Sequence, residues 1–202
     1  MKLYHSATSP YVRKVMVVAH LTGQLDRLEL VPGSGTPLEP NQATAAANPL
    51  AKVPCLVTDE GASLYDSRVI TRYLDARAGA GLYPEGEALW PVLVREALAD
   101  GILDAAVLAV YEGRLRPEER RYAPFVEAQR HKIRRALDQL EREAPTFGEW
   151  PDAGLIAAAC AVAYVDFRHT DIAWRGERPH LTAWYETVSA REEMTTTAPP
   201  GE

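Results

Sequence analysis

The pattern of apolar and polar positions changes character near residue 80. Upstream of this point, short apolar runs predict four strands, at residues 2–4, 25–31, 53–58 and 62–65. Apolar residues that recur every three or four positions after Pro10 and again after Ser67 predict two helices. Strands mixed with helices in this order are typical of a compact α/β domain, which we place at residues 1–79.

Downstream of a stretch rich in glycine and proline, at residues 79–86, the pattern is helical almost throughout. Three apolar stripes predict amphipathic helices, and they consist of Val94, Leu98, Ile102, Ala105 and Ala109, then Phe125, Ile133, Leu137 and Leu140, then Leu181, Trp184, Tyr185 and Val188. Residues 156–167 are apolar on nearly every side, which predicts a helix buried at the centre of a bundle. We therefore expect an all-helical second domain at residues 86–202, with a frayed tail from Thr195.

The overall composition narrows the range of functions. The chain has 202 residues, of which 47% are hydrophobic and 25% charged, as in ordinary globular proteins. The apolar runs fall short of the roughly 18 residues of a membrane span, and a net charge of −6 argues against nucleic acid as a partner. The two cysteines, Cys55 and Cys160, match no metal or redox spacing, which favours a reducing compartment and hence the cytoplasm.

Three short segments of the first domain carry the candidate chemistry. A Ser-Pro pair at Ser9 leads into the first helix, where a hydroxyl lies beside free N–H groups at the positive helix end. A Val-Pro pair at Pro54 precedes a strand, and Asp66-Ser67 opens the next helix as a second anion site. Taken singly, each segment is better explained as a turn or a helix cap.

Together, in this order and spacing, the segments resemble the glutathione transferases, in particular the bacterial members with a serine at the start of the first helix. The runs at residues 100–105 and 164–168 are also similar to that family, and the resemblance extends over essentially the whole chain. It implies a thioredoxin-like α/β N-terminal domain followed by an all-α helical bundle. It also implies a homodimer in which glutathione is the co-substrate, without a metal, and a small hydrophobic electrophile is attacked, as in detoxification.

The resemblance implies a role for Ser9 in activating the thiol of glutathione. A free thiol titrates near pH 8.5, so only about 3% is thiolate at pH 7. A hydroxyl donor at a helix N-terminus favours the charged form. Tyr4 is the alternative donor, because other transferase classes use a tyrosine at the end of the first strand.

The glutathione-binding set implied by the resemblance is Ser9, Lys52, Val53, Pro54, Asp66 and Ser67. A cis peptide bond at Pro54 would turn the Val53 main chain towards the cysteinyl part of glutathione. Asp66 and Ser67 would hold the γ-glutamyl end, and Lys52 the glycyl carboxylate. The electrophile pocket is expected to draw on Tyr11, Tyr111 and Tyr164.

Other features have simpler explanations or belong to a second class of function. Glu96, Asp100 and Asp104 are four residues apart on one helical face, and we expect a solvated or subunit-facing stripe there, not a metal site. Ala51 stands where the family often has glycine. The same fold could also bind glutathione or hydrophobic ligands without turnover, or act as a protein-interaction module. The intact Ser9, Val53-Pro54 and Asp66-Ser67 set favours the enzyme, because an interaction module has no need of it.

Overall fold

A computed structural model describes residues 1–201, which form two compact units. The first unit runs from Met1 to Pro84 and also includes the described residues from Glu192 onward, and the second runs from Glu85 to Arg191. This grouping differs from the expected domain limits of 1–79 and 86–202 at the end of the chain. Its cause is the packing of a short terminal helix against the first helix of the chain, where the Arg13 guanidinium donates to a main-chain carbonyl 2.9 Å away.

The first unit is a four-stranded mixed sheet with helices. Its elements are β1 (Lys2–His5), α1 (Pro10–Leu21), β2 (Glu29–Pro32), α2 (Gln42–Ala47), β3 (Cys55–Val57), β4 (Ser63–Leu64) and α3 (Ser67–Ala78), joined by the terminal helix α8 (Glu192–Thr195). The strand order is β2-β1-β3-β4, with β1 parallel to β2 and antiparallel to β3, and β3 antiparallel to β4. The predicted α/β class is confirmed, although α2 follows a proline-rich loop and was not expected.

The core of the first unit lies between the sheet and the two longer helices. Leu3 of β1 and Leu56 of β3 are fully buried, as are Val15 of α1 and Ile70 and Leu74 of α3. These helices pack against each other. Their apolar faces therefore fix the positions of their N-termini relative to the sheet.

The second unit is entirely helical within the described residues. Its main helices are α4 (Leu89–Leu115), α5 (Ala123–Glu143), α6 (Ala153–Arg168) and α7 (Pro179–Ser189). Every residue of α6 from Ala153 to Val165 is buried, which confirms the expected central helix. The Asp152 side chain caps α6 by accepting from the Leu155 N–H at 2.8 Å. No helix of residues 1–201 is long and apolar enough to cross a membrane.

The buried face of α4 differs from the predicted stripe. Val94 is 65% exposed, whereas Glu96 and Asp100 are only 3% and 7% exposed. The reason is that α4 packs against both α5 and α6, so its buried face is wider than one apolar stripe and includes two carboxylates. The expectation of a solvated acidic face is therefore wrong for Glu96 and Asp100, while Asp104 is exposed.

Candidate functional site

The sheet topology brings the three candidate segments to one end of the first unit. Because β1 and β3 are antiparallel, the last residue of β1 and the first residue of β3 lie at the same end of the sheet. Because β3 and β4 are also antiparallel, the end of β4 lies there too. Ser9 follows β1, Pro54 precedes β3, and Asp66 follows β4. These three residues are far apart in sequence, but each lies next to the end of a strand at the same end of the sheet.

Ser9 is the N-cap of α1. Its hydroxyl oxygen accepts from the Val12 N–H at 3.3 Å, and Pro10 occupies the first helical position, where the missing N–H costs nothing. The backbone N–H of Ser9 donates to the Ser6 carbonyl at 3.0 Å, which fixes the loop that carries it. A hydroxyl that accepts one hydrogen bond still has its own proton to donate, so the capping role and a donor role coexist.

The Val53–Pro54 peptide bond is cis, as the family resemblance implied. Val53 lies immediately before β3, beyond the last paired residue of the ladder. Within the described residues, its main-chain N–H and C=O make no hydrogen bond. An extended peptide could therefore pair with Val53 as an added strand does.

The turn before Val53 is held by a buried asparagine. Asn48 accepts from the Ala51 N–H at 2.7 Å through its main-chain carbonyl, and its side-chain amide donates to the Lys52 carbonyl at 2.8 Å. Ala51 has φ of 51°, in the left-handed region that favours glycine. The Lys52 side chain is exposed, and its ammonium makes no ion pair with a carboxylate of residues 1–201.

Asp66 caps α3 and carries a negative charge near neutral pH. Its carboxylate accepts from the Arg68 N–H at 3.0 Å and pairs with the Arg68 guanidinium at 2.9 Å. Partial burial opposes ionisation, but the hydrogen bonds from Arg68 and the charges of Arg68 and Lys14 outweigh it and hold the Asp66 pKa below its ordinary value. Sequence reasoning missed Lys14, although a lysine within the apolar face of α1 was a visible signal.

Ser67 is the first residue of α3 and is only 2% exposed. Its carbonyl accepts from the Thr71 hydroxyl at 2.9 Å, but its own hydroxyl has no hydrogen-bond partner in the part of the chain that the structure describes. The hydroxyl is therefore available to bond with a ligand or with water. Beside the free N–H groups of a helix start, it is suited to a carboxylate.

The residues expected around the electrophile belong to both units. Tyr11 is half-buried on α1 of the first unit. In the second unit, Tyr111 of α4 and Tyr164 of α6 lie close enough to interact electrostatically. Burial raises the pKa of the Tyr164 hydroxyl, and Tyr111 adds to this effect against the opposing charges of Arg168 and Arg114. These two arginines were not singled out from sequence.

The remaining candidate groups show no catalytic arrangement. Cys55 and Cys160 are fully buried and neither forms a disulfide, and burial raises the pKa of the Cys55 thiol, which disfavours a reactive thiolate. Across residues 1–201, no three histidine, cysteine, aspartate or glutamate side chains are grouped as metal ligands would be. Tyr4 is half-buried in β1, in register with Val31 and Cys55.

Comparisons with known families identify both halves of the chain. Residues 8–77 match the model of the glutathione S-transferase N-terminal domain, and residues 123–187 match that of the glutathione S-transferase C-terminal domain. The chain is 37% identical over 205 residues to YibF of Escherichia coli strain K12, named an uncharacterized GST-like protein, with 99% of each chain covered.

Solved structures give the same result. A glutathione transferase family member from Pseudomonas fluorescens Pf-5, with bound glutathione, is 47% identical with a TM-score of 0.93, covering 98% of each chain. A second structure from that organism holds S-(propanoic acid)-glutathione; it is 46% identical with a TM-score of 0.91, covering 99% of this chain and 100% of its own. These relatives match the chain over nearly its full length.

Proposed function

The chain belongs to the glutathione S-transferase family, and we propose that it is a glutathione S-transferase that activates the thiol of glutathione for attack on small hydrophobic electrophiles. The observation that carries the proposal is the convergence of Ser9, Pro54 and Ser67 at one end of the sheet. A protein-interaction module has no need of a hydroxyl donor, an unpaired strand end and an anion site at the same place, and the test below separates the enzyme from a non-catalytic glutathione-binding protein.

In this proposal, glutathione is held along its length by the first unit. The Val53 main chain pairs with the cysteinyl residue, and Pro54 shapes the approach to β3. Ser67 binds the γ-glutamyl carboxylate through its hydroxyl and N–H, while Asp66 attracts the γ-glutamyl ammonium. Lys52 reaches the glycyl carboxylate. The unpaired groups of Val53, Ser67 and Lys52 support these assignments.

Ser9 is the proposed donor to the sulfur. The thiolate would lie beside the N-terminus of α1, where the N–H groups and the helix dipole favour negative charge. Ser9 stabilises the nucleophile that the ligand brings and forms no covalent bond itself. Tyr4 is the competing donor, and the two are separated by experiment below.

The electrophile is proposed to contact Tyr11, Tyr111 and Tyr164. The bound S-(propanoic acid)-glutathione of the Pseudomonas fluorescens relative supports a site that accepts a substituent on sulfur. The residues that line the electrophile pocket vary among proteins of this fold, while the scaffold stays the same. The natural electrophile is therefore identified by assay and not by the fold.

We also propose a cytoplasmic homodimer with a role in detoxification. Two buried cysteines that form no disulfide fit a reducing compartment. The proposed interface is formed by α3 and α4, on which large apolar side chains are exposed, with Val69 on α3 and Trp90 and Val94 on α4. Exposed side chains of this kind are typical of protein interfaces when they form contiguous patches.

The test of the proposed function combines binding and turnover by the unmodified protein. Titration calorimetry is expected to show saturable binding of glutathione, and an absorbance assay with an aromatic halide is expected to show conjugation above the uncatalysed rate. Binding without turnover across a panel of halides, epoxides and unsaturated carbonyls would favour the non-catalytic alternative. Absence of glutathione binding would refute both.

A further inference from the structure

Gly33 lies where the end of β2 meets two other segments of the first unit. Its N–H donates to the His5 carbonyl at 2.9 Å, which continues the pairing of β2 with β1 by one residue. Because β1 is parallel to β2 and antiparallel to β3, the residue after β2 lies at the same end of the sheet as the residues before β3. The topology therefore makes Gly33 and Val53 neighbours, although they belong to separate loops.

Close packing, and not backbone conformation, explains the glycine at position 33. Gly33 has no positive φ, so an alanine would not be strained on that account. A Cβ atom at this position would lie 2.7 Å from Thr44 Oγ1, 2.9 Å from Val53 Cγ1 and 3.1 Å from Tyr4 Cβ. These distances are well inside the separation of about 3.5–4.0 Å at which carbon atoms attract best. The absence of a side chain at Gly33 therefore lets three segments of the chain approach one another.

Thr44 of α2 fixes the main chain of Gly33 through a buried hydrogen bond. The Thr44 side chain is fully buried, and its hydroxyl donates to the Gly33 carbonyl at 3.0 Å. The N–H of Thr44 donates to the side chain of Asn41, the N-cap of α2, at 2.9 Å. Thr44 therefore ties α2 to the loop that follows β2.

The end of α2 is also tied to the residue before Val53. The Thr44 carbonyl accepts from the Asn48 N–H at 2.7 Å, and the Asn48 side-chain amide donates to the Lys52 carbonyl at 2.8 Å. Valine is stiff at χ1 because its Cβ is branched, so the Val53 methyl group beside Gly33 yields little unless the main chain moves. The place of the Val53 main chain is therefore coupled to Gly33 and to α2.

We infer that Gly33 and Thr44 are positioning residues that hold the Val53 main chain where it pairs with the cysteinyl residue of glutathione. This inference rests on the proposed function, which assigns that pairing to Val53. It goes further by giving a role in binding to two residues that touch no ligand themselves. Any side chain at position 33 would displace Val53, and loss of the Thr44 hydroxyl would loosen the loop that Val53 packs against.

The experiment compares two ligands that differ in one hydrogen-bond donor. They are S-methylglutathione and its analogue in which an ester oxygen replaces the cysteinyl N–H; the S-methyl group blocks transfer of the acyl group from this ester to sulfur. Titration calorimetry measures the affinity of the full protein for both ligands and for glutathione. We expect the unmodified protein to bind S-methylglutathione at least about fivefold more tightly than the ester, because the ester cannot donate to the Val53 carbonyl.

Gly33→Ala should remove this preference. The affinity for S-methylglutathione should fall by at least about fivefold, the scale of overpacking by one methyl group. The affinity for the ester should change by less than about twofold, because the ester has no such hydrogen bond to lose. The ratio of the two affinities should therefore approach unity, whereas a general loss of structure would weaken both ligands alike and leave the ratio unchanged.

Matched variants separate positioning from folding. Thr44→Val keeps the shape of the side chain but removes its hydroxyl, and it should lower the ratio by a smaller factor, while Thr44→Ser keeps the hydroxyl and should restore most of the ratio. Gly176→Ala should leave all three affinities unchanged, because Gly176 has no positive φ and no atom lies within 4 Å of where its Cβ would be. If Gly33→Ala does not fold, as judged by circular dichroism, Thr44→Val carries the test.

The outcomes distinguish this inference from the proposed function. If the unmodified protein does not bind glutathione, the proposed function fails and the inference falls with it. If it binds glutathione but shows no preference for S-methylglutathione over the ester, the inference alone is overturned. A preference that persists unchanged in both Gly33→Ala and Thr44→Val also overturns it.

Discussion

The most informative perturbation is Ser9→Ala, because the structure gives Ser9 two separable roles. As the N-cap of α1, its hydroxyl oxygen accepts from Val12 at 3.3 Å, and loss of such a cap costs about 1 kcal/mol of stability. As a donor to the sulfur, the same hydroxyl would stabilise a thiolate by about 1.5–3 kcal/mol, which corresponds to roughly one to two pKa units. The variant should therefore affect both unfolding and the bound thiol.

The effect on the thiol follows from its titration. If the site lowers the thiol pKa from about 8.5 to about 6.5, roughly three quarters of bound glutathione is thiolate at pH 7. After Ser9→Ala the pKa would rise to about 7.5–8.5, which leaves roughly 3–25% as thiolate. Turnover at pH 7 should fall by the same factor of about 3 to 25 and recover partly at higher pH, where the thiolate forms without help.

The assay is the ultraviolet absorbance of the thiolate of bound glutathione, followed against pH. Ser9→Gly is the matched control, since glycine preserves most of the capping preference but removes the hydroxyl. Ser9→Ala and Ser9→Gly should shift the titration equally while differing in stability. The reasoning is refuted if neither variant moves the titration, and a shift in Tyr4→Phe instead would assign the donor role to Tyr4.

Three further predictions concern binding, local strain and assembly. Ser67→Ala should weaken glutathione binding by about 1–3 kcal/mol in calorimetry, whereas Ser63→Ala, at an exposed position of β4, should not change it. Ala51→Gly should raise the free energy of unfolding in urea by up to about 1 kcal/mol, because Ala51 has φ of 51°; an unchanged or lower value would contradict the strain argument. Light scattering should show a dimer at micromolar concentration that Val69→Glu or Trp90→Glu converts to monomer, and a monomeric unmodified protein would refute the assembly.

The elements of the fold were largely readable from local patterns. Strand and helix signals depend on the spacing of apolar residues over short stretches of chain, and they predicted the strands and helices of the α/β domain and the buried helix α6. The cap at Ser9 was readable for the same reason, since its hydroxyl acts on an N–H group three residues away. The helix α2 was missed because six residues after a proline-rich loop carry too little periodicity to be recognised.

The sequence by itself determined which segments carry chemistry, because the Ser-Pro, Val-Pro and Asp-Ser pairs each have a local physical meaning. Only the tertiary structure decided which groups remain unpaired. The burial of Ser67, the charge of Lys14 acting on Asp66, and the position of Arg114 beside Tyr164 all depend on residues distant in sequence. The buried carboxylates of α4 show the same limit, since burial is set by the number of helices packed against a face, and one helix's own pattern does not contain that information.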